Sequence, residues 1–317
     1  MEEVEDQYLS ENENQPVQPP EVLWRPPEPR VRMVLIAQFA LFLMGVAAFQ
    51  VISMLAGWSE LPPLTADSSD AARWITRLQL GIGHFLTFSV SSFLTVWIFY
   101  RRISNDGPDW QDYLGTRRLP GASLTGMTIL LMAVSLPLVL FLLNVNQQIP
   151  LPEVFRMAED QTEEMLKSLL KMENAGALLV NLTIIALLPA LGEELMFRGV
   201  IQQQLMRRIA DPRLALLLSA AIFSFAHFQF EGFLPRMLLG LLLGWLYWRT
   251  HNFWVVVLAH FFNNGLQIVG QYMYGKELSS VDLEQDIQVP WFAAAVSALL
   301  IWVAMRQIDQ TNKLIIK

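Results

Sequence analysis

The sequence predicts an all-α protein, a polytopic transmembrane helical bundle of about eight spans that follows a disordered N-terminal tail. Two observations predict this class. Hydrophobic residues make up 53% of the 317 residues, charged residues make up only 16%, and the mean hydropathy is +0.36. Apolar stretches long enough to cross a bilayer also recur between residues 33 and 305. We therefore expect an integral multi-pass membrane protein that lies in the lipid bilayer.

Charge and cysteine content exclude several classes of function. The formal net charge is −7, and much of the acid lies in the first 30 residues. Because no basic stripe is present to follow phosphates, we expect no nucleic-acid partner. The sequence has no cysteine, which excludes disulfides, thiolate metal sites and cysteine nucleophiles.

Three regions follow from composition along the chain. Residues 1–32 are rich in acid, Asn and Pro and predict a flexible cytoplasmic tail. This tail lacks the basic start and apolar stretch of a signal peptide, so we expect the first apolar segment to stay in the mature protein. Residues 33–308 form the predicted membrane-embedded domain, and residues 309–317 a short cytoplasmic tail.

The predicted spans are the mainly apolar stretches of about 20 residues. They are 33–56, 75–100, 123–145, 177–204, 213–230, 233–248, 253–270 and 289–305. With both termini inside, fifteen of the 22 Lys and Arg residues fall on the inner side, as the positive-inside rule requires. We therefore expect both termini in the cytoplasm, in the cell (inner) membrane.

The longest outer segment, residues 146–176, places apolar residues at roughly helical spacing. This pattern is typical of an amphipathic helix in the membrane interface. Two roles stay open for it, namely a short extramembrane cap with a solvated acidic face and a lid that guides substrate.

The string GEELMFRG in the fourth stretch places Glu193, Glu194 and Arg198 at bilayer depth. An ionised group there costs roughly 2.5 to 3.5 kcal/mol on insertion scales. Glu194 and Arg198 are four apart, so on a helix they share a face and can pair, whereas Glu193 points about 100° away from Glu194. One carboxylate would then be structural and the other could act as a general base. A buried ion pair that only fixes helix packing is the alternative.

Two later stretches add polar groups. Phe223 precedes His227 by one turn and can shield and orient its imidazole, while His260 and Asn264 repeat the four-residue spacing. Asn264 could supply an amide proton to an oxyanion, with Asn263 as a rival. Taken singly, each could be a packing or interhelical hydrogen-bonding residue.

Depth supports one shared site. At 1.5 Å per residue, Glu193 and His227 come out roughly 20 Å deep, and His260 and Asn264 roughly 12 to 18 Å deep. We therefore expect two carboxylates, two imidazoles and an amide to converge. His84, in the second stretch, has no acidic neighbour within a turn, so we expect it to be a packing residue.

The sequence resembles a known family at these residues. EELMFR resembles the EExxxR motif, FSFAH the FxxxH motif and HFFNN the HxxxN motif of the CPBP intramembrane proteases, the group that includes the type II CAAX prenyl endopeptidases. The three motifs occur in order, in separate spans, and cover about residues 175–270. The resemblance implies an all-helical bundle with its site inside the membrane, and hydrolysis of a peptide bond.

The resemblance also implies roles for the candidate residues. Glu193 would be the base that activates water, and His227 would help to hold that water or a metal. His260 and Asn264 would polarise the scissile carbonyl and stabilise the oxyanion.

Glu194 and Arg198 would complete the first motif. The family is grouped with metalloproteases, but the sequence lacks the HExxH pattern of zinc proteases. Glu193, His227 and His260 could form a zinc site with an open water position, or act without metal through a glutamate-activated water.

The main hypothesis is therefore an intramembrane endopeptidase acting on a membrane-embedded or lipidated peptide, such as a prenylated CAAX tail. The alternative is a non-catalytic peptide-binding scaffold or immunity-like protein of the same fold. A proton-coupled transporter is a third candidate, but the sequence shows no internal repeat.

Overall fold

The computed structural model describes residues 29–65, 67–101, 109–274 and 288–315. This part of the chain is all-α and holds no strand. Its helices are α1 (Val31–Leu55), α2 (Asp70–Tyr100), α3 (Trp110–Leu114), α4 (Ala122–Asn146), α5 (Glu153–Leu169), α6 (Ala175–Arg208), α7 (Pro212–Phe225), α8 (Phe233–Thr250), α9 (Phe253–Tyr274) and α10 (Trp291–Ile315). Of the predicted N-terminal tail, residues 1–28 lie outside the described residues.

Six of the described helices are long and apolar enough to cross a membrane, namely α1, α2, α4, α6, α9 and α10. The fifth and sixth predicted spans correspond to shorter helices, because α7 has 14 residues and α8 has 18. The predicted class, an all-α polytopic membrane bundle, is confirmed, and the protein is an integral membrane protein. The last helix continues to Ile315, so part of the predicted C-terminal tail is helical.

Local sequence signals explain where several helices begin. The Ser69 side chain accepts from the backbone of Ala72 at the start of α2, and Asp211 accepts from Arg213 just before Pro212 opens α7. Both are favoured N-cap arrangements, since they satisfy backbone donors that have no partner within the helix.

In the extramembrane helix α3, hydrogen bonding by Arg117 lowers the pKa of Asp112 to about 2.

A proline in α4 is accommodated by the neighbouring helix α10. Pro137 lies inside α4, where it disturbs the backbone ladder. Ser297 of α10 accepts from the Leu138 N–H at 3.3 Å and donates to the Val134 carbonyl at 2.5 Å. This hydroxyl satisfies backbone groups that lipid could not satisfy, so it joins α4 to α10.

Two spans contain π-helical turns beside the polar residues. In α2 the segment Phe85–Val90 is π-helical, and in α6 the segments Leu182–Leu187 and Leu195–Gln202 are. Such wide turns are rare and occur often at functional sites. The α-helical piece of α6 between them, Leu188–Glu194, ends with the two glutamates.

Candidate active site

A fully buried ion pair forms one part of the site. Glu194 is 0% exposed and Arg198 is 1% exposed. The Arg198 Nη1 donates to Glu194 Oε1 at 2.8 Å, and its Nη2 donates to the Gly240 carbonyl of α8 at 3.1 Å. The guanidinium also lies 4.6 Å from the centre of the Phe223 ring, within range of a cation–π contact. Arg198 therefore ties α6 to both α7 and α8.

Because Gly240 has no side chain, α8 can approach α7 closely enough for these contacts. A Cβ atom there would lie 3.1 Å from the Ala220 Cα and 3.2 Å from the Phe223 ring. One turn further, the Gly244 carbonyl accepts from Gln202 Nε2 at 2.9 Å. Two glycine carbonyls of α8 thus accept hydrogen bonds from two polar side chains of α6. Small residues at a helix interface allow this close approach.

His260 of α9 links the two glutamates. Its Nδ1 lies 2.7 Å from Glu194 Oε1. Because an ionised carboxylate only accepts hydrogen bonds, Nδ1 carries the proton in this contact. In the neutral ring, Nε2 then presents a lone pair, and it lies 3.9 Å from Glu193 Oε2.

His227, in the turn after α7, is held in the same tautomer by the backbone. Its Nδ1 lies 2.9 Å from the Phe223 carbonyl, which can only accept, so Nε2 is again the free lone pair of a neutral ring. This Nε2 lies 3.8 Å from Glu193 Oε2. The Phe223 ring meets both imidazoles edge-on, with centroids 5.0 Å from His227 and 6.0 Å from His260.

With both imidazoles neutral, three acceptor atoms converge. Glu193 Oε2 is buried and has no hydrogen-bond partner within the described residues, although the two imidazole lone pairs face it. Such an arrangement is costly unless a group with protons or positive charge lies between the three atoms. The side chain of His227 is 28% exposed and that of His260 is 7% exposed, so the site opens on the side of His227.

The three side chains do not form a preformed metal site. The donor set of Glu193, His227 and His260 has the chemistry of a zinc site. However, nowhere in residues 29–65, 67–101, 109–274 and 288–315 are three or more such side chains arranged so that they could hold a metal ion. The Oε2–Nε2 separations of 3.8 and 3.9 Å exceed the roughly 3.3 to 3.5 Å expected between ligands of tetrahedral zinc. A metal would require these side chains to close in.

Asn264 lies beside the cluster without joining it. Its Nδ2 donates weakly to the Ile185 carbonyl at 3.4 Å, and its Oδ1 accepts from Asn263 at 3.1 Å. Neither of these contacts reaches a carboxylate or an imidazole. The predicted site residues of α6, α7 and α9 therefore converge, while Asn264 stands one turn away from His260.

His84 of α2 is the residue that sequence reasoning missed. We expected a packing residue, but its Nε2 lies 3.2 Å from Glu193 Oε1. No pattern within a helical turn of His84 could have indicated this contact, because the two residues are 109 positions apart. Only the pairing of α2 with α6 brings them together.

The loop after His227 is held by contacts from α4 and α5. Glu159 of α5 accepts from the backbone N–H groups of Phe230 and Glu231 at 2.5 and 3.1 Å. Asn146, at the end of α4, donates to the Phe230 carbonyl at 2.7 Å. Burial and the nearby Glu159 carboxylate raise the pKa of Glu231. The amphipathic helix predicted in residues 146–176 thus packs against the loop that carries His227.

One comparison with known proteins matches the region that contains the three motifs. Residues 175–266 match the family model described as type II CAAX prenyl endopeptidase, Rce1-like. Neither a comparison with curated proteins nor one with solved structures gives a match. The matched segment contains every predicted site residue from Glu193 to Asn264, and it leaves out His84. The resemblance drawn from the sequence is therefore confirmed, and over residues 175–266 the chain is similar to the Rce1-like type II CAAX prenyl endopeptidases.

Proposed function

We propose that the protein is an intramembrane endopeptidase that hydrolyses a peptide bond of a membrane-associated substrate. One observation carries the proposal: a buried, unpartnered carboxylate oxygen of Glu193 faces the Nε2 atoms of His227 and His260. A non-catalytic scaffold has no need for this convergence. The family match over residues 175–266 supports the same activity.

In the proposed mechanism, Glu193 activates a water molecule. Its Oε2 accepts one water proton while the water oxygen attacks the scissile carbonyl carbon, and His227 Nε2 accepts the other O–H and orients the attack. The proton on Glu193 then passes to the leaving amide nitrogen as the C–N bond breaks. The products are a carboxylic acid and an amine, and the carboxylate of Glu193 is regenerated.

Asn264 and His260 complete the proposed mechanism. Asn264 can turn its amide from the weak 3.4 Å contact with Ile185 towards the developing oxyanion, where a donor stabilises charge. In its neutral tautomer His260 offers only the Nε2 lone pair, so it helps to orient the water, and the buried pair of Glu194 and Arg198 fixes its ring. Zinc, if bound by Glu193, His227 and His260, would supply Lewis-acid polarisation.

We further propose a prenylated CAAX-type tail as the substrate class. A prenylated chain end partitions into the bilayer, which brings its peptide bonds to an intramembrane site. We propose a location in the cell (inner) membrane, and the charge asymmetry of the loops supports an orientation with both termini in the cytoplasm.

Two assays test this function. Wild-type protein in proteoliposomes should cleave an internally quenched, farnesylated CAAX peptide, and Glu193→Gln protein should not. Proteomics of cell membranes should find new peptide termini with wild type that are missing with Glu193→Gln. Identical termini in both samples would contradict the endopeptidase and favour the scaffold alternative.

Metal chelation distinguishes the metal-free mechanism from the zinc-dependent mechanism. Because Glu193 Oε2 lies farther from both imidazoles than two ligands of a preformed zinc site would, we expect cleavage of the quenched peptide to survive dialysis against EDTA and 1,10-phenanthroline. A soluble zinc protease treated in parallel should lose its activity, which shows that the chelators work. Loss of cleavage that added zinc restores would replace the metal-free mechanism by the zinc one.

A further inference from the structure

We propose that His84 is a positioning residue for Glu193: it donates its Nε2–H to Oε1 and so keeps Oε2 directed at His227 and His260. The inference rests on the proposed function of Glu193. His84 belongs to α2 and lies outside the residues that match the family model, so none of the three motifs assigns it a role.

The tautomer follows from the surroundings of the ring. His84 Nε2 lies 3.2 Å from Glu193 Oε1, and Nδ1 is buried with no hydrogen-bond partner in the described part of the chain. A proton on Nδ1 would leave a buried donor unsatisfied and bring two acceptors face to face. A proton on Nε2 makes the hydrogen bond and leaves only an unused lone pair. The structure therefore selects Nε2 as the donor.

Packing holds the ring in this position. The imidazole is stacked on Phe88 of the same helix, with centroids 4.5 Å apart and planes 16° apart. Gly192, which immediately precedes the glutamates, lies close to the edge of the ring. A Cβ atom on Gly192 would stand 3.0 Å from His84 Cε1 and 2.7 Å from Ser89 Oγ. The glycine of GEELMFRG thus makes room for His84.

The consequence concerns the orientation of the carboxylate. The terminal torsion of a glutamate is broad, so a carboxylate without a fixed partner can turn both oxygens away from the reacting water. With Oε1 bound by His84, Oε2 is left facing His227 at 3.8 Å and His260 at 3.9 Å. His84 acts through Glu193. Its loss should therefore slow the chemical step and leave substrate binding unchanged.

The test compares His84→Leu, which removes the donor, with His84→Gln, whose amide N–H can reach the former position of Nε2. Kinetics are measured on the quenched farnesylated peptide in proteoliposomes, together with the rate at which new termini form in membranes. We expect His84→Leu to lower kcat on the order of 10- to 100-fold, as is typical for residues that orient a catalytic ligand, with KM changed less than about twofold. His84→Gln should recover most of kcat.

Thr87→Val is the matched control, because Thr87 is also buried in α2 but its hydroxyl bonds only to carbonyls of its own helix. We expect its kinetics to equal those of wild type. Wild-type kcat in His84→Leu, or an equal loss in His84→Leu and His84→Gln, would overturn the proposal. If His84→Leu does not fold, the comparison of His84→Gln with Gly192→Ala tests the proposal. We expect Gly192→Ala to displace the ring and lower kcat, and His84→Gln to keep most of kcat. Glu193→Gln is assayed in parallel: if it cleaves normally, the proposed function itself fails.

Discussion

Glu193→Gln protein is expected to lose about a thousand-fold in kcat/KM, in the middle of the range that general-base catalysis contributes, and to be at least as heat-stable as wild type. The amide has the shape of the carboxylate but cannot take a proton from water. Its oxygen can still accept from His84, and its N–H would face the imidazole lone pairs in place of a carboxylate oxygen. The substitution therefore removes a buried carboxylate oxygen that has no hydrogen-bond partner in wild type.

The measurements are cleavage of the quenched peptide and thermal unfolding in detergent micelles. Glu164→Gln, which makes the same chemical change on the exposed face of α5, is the control and should behave as wild type in both. A Glu193→Gln protein that cleaves at more than a few per cent of the wild-type rate would exclude Glu193 as the base. A large drop in its melting temperature would show that Glu193 is structural instead.

Arg198→Met is expected to have the largest effect on stability, with a loss of about 3–5 kcal/mol, the usual cost of removing one partner of a buried ion pair. Glu194 would keep its charge at 0% exposure without its cation, and the Gly240 carbonyl would lose its donor. Because the same pair fixes His260, cleavage should be lost as well.

Thermal unfolding in micelles checks this second prediction. Arg249→Met is the matched control, since the ion pair of Arg249 with Asp309 has side chains that are 32% and 29% exposed and should contribute less than about 1 kcal/mol. The double variant Glu194→Gln/Arg198→Met should recover part of the lost stability, because no buried charge is then left alone. An Arg198→Met protein as stable as wild type would contradict the assignment.

Local sequence features were enough to predict the class of fold and the helices that carry the site. Hydropathy over about 20 residues depends only on neighbours in the chain, and the apolar stretches accordingly became helices. The limits of the fifth and sixth spans were the least well defined, because a short turn joins them and α7 and α8 have only 14 and 18 residues. The spacing of Glu194 and Arg198 suggested a pair, and the structure places their side chains in contact.

Contacts between distant helices could not be predicted in this way. The contact of His84 with Glu193 depends on how α2 packs on α6, and the tautomers of His227 and His260 depend on partners that only the fold supplies. The π-helical turns could not be predicted either, because the expected side-chain directions assume ideal α-helical geometry. Asn264 shares a helix with His260, as expected, but its amide contacts a backbone carbonyl and a neighbouring asparagine.

The wide turns of α6 allow the length of this helix to change without turning one half against the other. The segment Leu195–Gln202 holds more residues per turn than an α-helix does. Deleting a single residue from it would let this segment tighten to α-helical winding, so later side chains would keep nearly their present directions relative to Glu193. Gln203 and Gln204, which now bond to Tyr247 and Tyr113, would therefore keep these partners. Residue counts between motif positions do not measure angles in this span, and a one-residue gap there is compatible with the same site.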